Sequence, residues 1–246
     1  MSRPVDYAPG KLLDVYAPGA IDVPGAPGAL GGAAGVPVVL LWHGSGVDER
    51  DVLAPLAAEV AAHGLLVLVP DWQSDDPGAG STHLRASLSF ARSAAAGMGG
   101  DPGRVVLAGW SLGANAAAWV ALHPGAFDGW APVALVGLAG SYDESPFGGD
   151  VIAEAGHDGA GRRAVLVHGT RDTVVPPVRS VTTADHLAGL GWMAGLRMLE
   201  TDHAGIVGTE YDPWRRRCVP TADTARIATR AAVASLVAEA AFGTSE

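Results

Sequence analysis

Short apolar runs of valine and leucine, alternating with segments of helical pattern, constrain the fold of this chain most. The runs lie at 36–46, 65–72, 104–110, 132–142, 162–172 and 195–203. The helical segments lie at 48–64, 82–97, 112–124, 178–190 and 221–241. A strand without polar alternation is buried on both faces, as strands are in a parallel sheet covered by helices. The sequence therefore predicts an α/β fold, with a mostly parallel central sheet and helices on both faces.

The N-terminal region is too poor in apolar residues to form a unit of its own. Residues 1–35 are rich in Pro, Gly and Ala, and among them Lys11–Tyr16 has the pattern of a short strand. We expect an N-terminal edge strand followed by a Pro/Gly-rich loop, so that residues 1–246 form a single domain. In the first helical segment, Asp48 is expected as the N-cap and Gly64 as the stop.

The charge and cysteine content exclude several classes of function. The 26 acidic residues outnumber the 16 lysines and arginines, giving a formal net charge of -10, which argues against binding nucleic acid or anionic lipid. One cysteine, Cys218, permits no internal disulfide and no metal site by itself. With neither a signal-peptide core nor an apolar run of ~20 residues, we expect a cytoplasmic protein without membrane partners. The sequence is compatible with a homodimer.

A serine between two glycines marks the strongest candidate for chemistry. Ser111 lies in the stretch GWSLG, directly after an apolar strand and directly before a helix, with Gly109 and Gly113 on either side. The G-x-S-x-G pattern is weak in a chain with 34 glycines, but this strand–turn–helix context strengthens it. The carboxyl ends of parallel strands are where function gathers. Ser111 is therefore predicted to be a nucleophile.

A serine nucleophile needs a base, and the base needs an acceptor that orients it. His203 follows the last apolar run and is the candidate base, whereas His168 is interpreted as structural. Asp172 ends the preceding run and is the candidate acceptor. Asp202 is disfavoured because neighbouring side chains on an extended chain point apart. The chain order Ser, Asp, His is that of the α/β-hydrolase triad.

Acyl transfer also requires backbone N–H groups that bind the oxyanion. The residue after the nucleophile, Leu112, is expected to supply one of them. The second is assigned to Ser45, with Gly46 as the rival, in the stretch HGSG that follows an early strand. His43 in the same stretch is expected to shape the loop by hydrogen bonding.

Aromatic residues near strand ends are candidates for the wall of a substrate pocket. The predicted substrate-binding residues are Trp110, Trp72, Phe147 and Tyr142. Core packing is the competing interpretation for each of them.

Several of these stretches together resemble the α/β-hydrolase superfamily of serine esterases. The stretches LLDVYAPG, PVVLLWHGSG, GWSLGA, GLAGSYD, HGTRDTVVP and TDHAGIVG occur in matching order. They are similar to feruloyl/acetyl-xylan-esterase-like and hormone-sensitive-lipase-like carboxylesterases, over roughly residues 11–240. The oxyanion motif of those families is usually H-G-G-G, and this chain departs from it at Ser45. The resemblance implies an α/β-hydrolase fold and the triad Ser111, Asp172 and His203.

Relatives of this kind often carry a cap domain between strands six and seven, and this chain has little room for one. The segment from Tyr142 to Arg162 holds only about 20 residues. We therefore expect no large cap domain, an open site rimmed by DESPFGGD, and small or accessible substrates.

The resulting functional hypothesis is a serine carboxylester hydrolase that cleaves short-chain or accessible small-molecule esters through an acyl-enzyme intermediate. It needs neither a metal nor another cofactor. An arylformamidase or related amidase would use the same three residues and is the alternative. A non-catalytic hydrolase-like binding protein is the hypothesis from another class.

Overall fold

A computed structural model describes residues 2–19, 35–152, 159 and 161–243 of the chain. Its strands are β1 (Arg3–Ala8), β2 (Lys11–Tyr16), β3 (Val36–Trp42), β4 (Leu66–Pro70), β5 (Gly100–Trp110), β6 (Ala134–Leu138), β7 (Arg163–Gly169), β8 (Met193–Leu199), β9 (Thr209–Asp212) and β10 (Arg217–Pro220). Its α-helices are α1 (Arg50–Ala62), α2 (Pro77–Ala94), α3 (Leu112–Leu122), α4 (Val178–Gly189) and α5 (Thr224–Phe242). Most of the Pro/Gly-rich loop predicted within 1–35 lies outside the described residues.

The central sheet is mostly parallel, as predicted. Its eight strands are arranged in the order β1-β2-β4-β3-β5-β6-β7-β8. From β4 to β8 each neighbouring pair is parallel. Two buried clusters of apolar side chains cover the two faces, one against α1 and α5 and the other against α2 and α3. The strands read as unbroken apolar runs because both of their faces are buried.

The prediction that Lys11–Tyr16 forms the edge strand is wrong. This segment is β2, which lies between β1 and β4 and pairs antiparallel with both. The edge is β1, a mostly exposed or half-buried strand. A tight turn at Pro9–Gly10 joins the two strands, and Gly10 has φ +68° there, a conformation that glycine adopts without steric cost. The polar composition of β1 hid it from an analysis based on apolar runs.

The first helix has its N-cap at Glu49, one residue later than expected, because Asp48 is engaged elsewhere. Asp48 has φ 44°, and its carboxylate accepts a hydrogen bond of 2.6 Å from the Arg50 guanidinium. Glu49 occupies the N-cap position without a side-chain cap, and Gly64 follows the helix end with φ +88°. By contrast, α2 starts early, because Asp76 accepts a hydrogen bond from the N–H of Ala79 at 3.0 Å.

The C-terminal region contains a hairpin that the apolar pattern did not predict. Strand β8 ends at Leu199, so that residues 200–203 form a loop, and β9 pairs antiparallel with β10 beyond it. Between β6 and β7 the described residues form an isolated bridge, Glu144 to Asp150, and no cap domain is evident in them. Residues 153–158 and 160 of that segment are not described. No described helix has the length and apolar character needed to cross a membrane.

Candidate active site

Ser111 lies on a sharp turn between the carboxyl end of β5 and the start of α3. Its backbone has φ 55° and ψ -120°, a left-handed conformation that is strained for any residue except glycine. The turn is held from both sides. The Ser111 N–H donates to the Leu138 carbonyl on β6 at 2.8 Å, and the Ser111 carbonyl accepts from Ala114 N–H at 2.9 Å. This geometry places Ser111 where the parallel strands end, at their carboxyl ends.

The glycines that flank Ser111 are required by close backbone approach. A Cβ at Gly109 would collide with the backbone of Gly113, and one at Gly113 would collide with the carbonyl oxygens of Trp42 and His43. Helix α3 therefore lies directly against the end of β3. This contact places the N-terminus of α3 beside the loop that follows β3.

Asp172, in the loop after β7, contacts His203, in the loop after β8, at the same carboxyl ends of the strands. The Nδ1 atom of His203 lies 2.7 Å from Oδ2 of Asp172. The other oxygen, Oδ1, accepts hydrogen bonds of 2.9 Å from the N–H groups of Val174 and Val175. Burial by itself would raise the pKa of Asp172, but the hydrogen bonds from His168, His203 and Val175 hold it below its usual range. The carboxylate is thus fixed and ionised.

A second histidine contacts the same carboxylate oxygen. Nε2 of His168 lies 3.3 Å from Asp172 Oδ2 and 3.0 Å from the Val175 carbonyl oxygen. Its Nδ1 lies 2.7 Å from the Ser180 hydroxyl on α4, and the residue is fully buried. The sequence interpretation of His168 as merely structural missed this contact. Its position four residues before Asp172 at a strand end was the available signal.

The backbone of His203 is supported by the residue that precedes Ser111. The indole Nε1 of Trp110 donates to the His203 carbonyl at 3.1 Å, and the two rings lie 5.3 Å apart. His203 is therefore close to the Ser111 turn. Asp202 points elsewhere, because both of its oxygens accept hydrogen bonds of 2.6–2.7 Å from Arg226 on α5.

Residues 43–49, which join β3 to α1, form the other wall of the site and are called the β3–α1 loop below. His43 is fully buried, and burial lowers its pKa to about 4, so the imidazole is neutral. Its Nε2 accepts the N–H of Trp72 at 3.3 Å, while its Nδ1 lies 3.0 Å from the Gly44 carbonyl oxygen. The proton therefore resides on Nδ1. These bonds match the loop-shaping function expected for His43.

Within this loop the two rival oxyanion donors are in different situations. The N–H of Gly46 donates to Oε2 of Glu49 at 3.2 Å. For Ser45, whose side chain is exposed, the structure shows no hydrogen bond to any described residue. The N–H of Leu112 belongs to the first residue of α3, where helix geometry provides no intrahelical acceptor. Of these three N–H groups, only that of Gly46 has an acceptor among the described residues.

The four aromatic residues proposed for a pocket lie mostly in the core. Trp110, Trp72 and Tyr142 have 3%, 0% and 3% of their surface exposed. The Trp72 indole donates to the His43 carbonyl at 3.2 Å, so it also supports the β3–α1 loop. Phe147 stacks on Trp119 of α3 with the ring centroids 4.9 Å apart. In this structure Trp72 has no exposed surface with which to contact a substrate, and Trp110 and Tyr142 have little. Tyr142 nevertheless lines a cavity together with Ser141 and Asp143.

Comparison with known proteins identifies the fold. No protein-family model matches the sequence, and no curated protein matches it. Among solved structures, esterase 2 of Thermogutta terrifontis phosphorylated by paraoxon superposes with a TM-score of 0.72 at 16% identity, covering 100% of this chain and 96% of that one. A truncated carbohydrate esterase from gut microbiota has a TM-score of 0.71 at 17% identity, covering 98% and 96%.

At sequence identities this low, the superpositions establish the fold alone, and the chemistry has to come from the geometry of the site. The order and direction of the strands, the turn at Ser111 and the full-length superposition on esterases agree. The chain has the α/β-hydrolase fold.

Proposed function

We propose that the protein is a serine hydrolase of carboxylic esters, with Ser111 as nucleophile, His203 as base and Asp172 as the acceptor that orients it. The strained turn at Ser111, next to the His203–Asp172 pair, is the observation that carries this proposal. Strain of this kind persists where the surrounding structure enforces it, and it clusters at reactive residues.

Each proposed group has a defined part in the reaction. The Ser111 hydroxyl attacks the ester carbonyl carbon while Nε2 of His203 takes its proton. The N–H groups of Leu112 and Ser45 bind the resulting oxyanion. His203 then protonates the leaving alcohol as the tetrahedral intermediate collapses to an acyl-enzyme, and afterwards activates the water that releases the acid. Asp172 stays ionised and stabilises the imidazolium.

The proposed substrate class depends on how the site is covered. No cap domain is evident in the described residues between β6 and β7, so long acyl chains would lack an apolar enclosure. Short-chain or otherwise accessible esters are the proposed substrates. The solved structure of Thermogutta terrifontis esterase 2 with propionate bound has a TM-score of 0.72 to this chain, which supports a short acyl group here.

The proposal is tested by labelling with paraoxon, the reagent that phosphorylated the Thermogutta esterase. We expect one diethylphosphoryl adduct on Ser111 by peptide mass spectrometry, together with loss of p-nitrophenyl acetate hydrolysis. Ser111→Ala should neither label nor hydrolyse, whereas Ser141→Ala, at a nearby serine, should do both. A folded protein that does not label, and whose hydrolysis survives Ser111→Ala, would overturn the proposal.

The substrate class is tested separately. Across p-nitrophenyl esters from C2 to C12, kcat/KM should be highest for the shortest chains, and a maximum at C10 or longer would contradict the open site. Hydrolysis of N-formylkynurenine with greater kcat/KM than any ester in the panel would replace the esterase with the arylformamidase alternative, using the same three residues.

A further inference from the structure

Glu49 is a buried carboxylate beside the proposed oxyanion site, and the reaction described above does not use it. Only 9% of its surface is exposed, and it forms no ion pair within 4 Å among the described residues. Placing a carboxylate in such a position is costly unless its oxygens are hydrogen-bonded. The residue therefore calls for a functional explanation.

The Glu49 side chain folds back under the β3–α1 loop. Its Oε2 accepts the N–H of Gly46 at 3.2 Å, and a Cβ at Gly46 would collide with its carboxylate. The position of a Cβ built on Gly44 lies 3.4 Å from Glu49 Oε2 and 3.3 Å from the Cβ of Ser111. The carboxylate and the proposed nucleophile thus flank the same glycine.

The surroundings of Glu49 are mixed in charge. Burial raises its pKa, and the Gly46 N–H, Arg217 and His203 oppose that rise while Asp51 adds to it. One further ionisable group faces it from another packed element: Cys218 lies on β10, where Glu49 contributes to a raised thiol pKa. Arg217 is itself engaged with Asp51 at 2.6 Å.

We propose that Glu49 is a positioning residue that sets both the geometry and the charge of the oxyanion site. By accepting the N–H of Gly46, it holds the loop so that the N–H of Ser45 faces the developing oxyanion. In its ionised form it also places a negative charge near the atom that becomes negative. This inference rests on the serine mechanism proposed above.

The two effects have opposite signs and can be separated by substitution. Glu49→Gln keeps an oxygen acceptor for Gly46 and removes the charge. Glu49→Ala removes both. Since loss of one oxyanion donor costs about 10²–10³ in kcat, a loop that is only loosened should cost about tenfold. Removing a nearby buried charge should accelerate the reaction severalfold where the wild-type carboxylate is ionised.

The experiment measures kcat and KM for p-nitrophenyl acetate between pH 5 and 9, with paraoxon labelling of each protein. We expect Glu49→Gln to raise kcat at alkaline pH with KM within twofold of wild type, and to differ least from wild type at acid pH. Glu49→Ala should lower kcat about tenfold with little change in KM. Asp185→Asn removes an exposed carboxylate on α4, away from the β3–α1 loop, and should behave as wild type in both respects.

A double-mutant cycle protects the test against a folding defect. Gly46→Ala should impair kcat in the wild-type background, where its Cβ displaces Glu49, and much less in the Glu49→Ala background. Equal loss of kcat in Glu49→Gln and Glu49→Ala, or additive effects at positions 46 and 49, would overturn the inference. The serine mechanism would stand in either case as long as wild type labels at Ser111; an unlabelled wild type would refute that mechanism itself.

Discussion

At the scale of single residues, Asp172 is the most heavily bonded side chain of the site. Both of its oxygens are engaged, and Oδ2 is shared between His203 and His168. An orienting carboxylate must keep one rotamer through every proton transfer, because a shift of about 1 Å in a catalytic group can cost 10²-fold in rate. His168 contributes to that rotamer through a second contact to the oxygen that bonds the proposed base.

Replacing His168 should therefore alter catalysis without touching substrate. We expect His168→Leu to lower kcat about tenfold, in line with the cost of misplacing a catalytic group, and His168→Gln, which keeps a donor, to be less impaired. KM should stay within twofold of wild type in both variants, because the fully buried His168 acts through the Asp172 carboxylate.

The measurement is kcat and KM for p-nitrophenyl acetate, together with the free energy of unfolding of each variant. The matched control is His186→Gln, since His186 is an exposed histidine on α4. An unchanged kcat in folded His168→Leu would show that His168 is only a core residue.

Sequence reasoning reached some residues of the site and missed others for a physical reason. Ser111 and its two glycines form a local pattern, so the turn between strand and helix at Ser111 can be predicted without knowledge of any distant contact. Glu49 and His168 matter because of where their side chains point. The Glu49 carboxylate turns back to Gly46 instead of capping α1, and no propensity predicts that.

At the scale of elements, the packing of α3 on β3 decides whether the site can form. Gly113 is the point of contact, since a Cβ there would meet two backbone carbonyl oxygens. Backbone atoms cannot rotate away as side chains can, so the helix itself would have to move.

Gly113→Ala should therefore destabilise the protein by at least about 2 kcal/mol, as overpacking of a tight core does. Displacement of α3 would also move Leu112 and reduce kcat. Gly125→Ala is the matched control, because a Cβ at Gly125 meets nothing within 4 Å. Denaturant unfolding and esterase assays on both variants make the comparison, and equal stabilities would refute the contact argument.

The sequence analysis failed to predict strands in segments with few apolar residues. The central strands could be predicted because both of their faces are buried. Strand β1 is exposed or half-buried along its length, and β9 and β10 have only four residues each. Antiparallel pairing at a sheet edge requires only backbone hydrogen bonds and a permissive turn, so it leaves little hydrophobic pattern. Helix starts were misplaced at Asp48 because its side chain bonds Arg50.

At the scale of the whole molecule, ion pairs make stability depend on pH. Burial by itself would raise the pKa of Asp202, but its hydrogen bonds from Arg226 and Gly205 lower it below its usual value. A carboxyl group whose pKa is lower in the folded than in the unfolded protein contributes its full stabilisation above its unfolded pKa of about 4. That stabilisation is lost as pH falls through the folded pKa.

Asp202→Asn should consequently lower the free energy of unfolding at pH 7 by about 1 kcal/mol or less, since the carboxylate is partly exposed. The difference from wild type should shrink as pH falls from 5 towards 3. Urea denaturation at several pH values measures both. The exposed Asp75→Asn is the control, and a difference that grows towards pH 3 would contradict the sign worked out here.

The strand order also has a consequence for how the protein acquires its proposed activity. Ser111, Asp172 and His203 follow β5, β7 and β8, which join the sheet through crossovers rather than hairpins. Such non-local pairings form slowly in folding, because the chain loses the entropy of closing a long loop before the stabilising contacts have formed. A nascent chain would carry its nucleophile long before the base, and reactivity would return last on refolding. The rate at which Ser111 becomes reactive to covalent labelling during refolding would thus report when the sheet is complete.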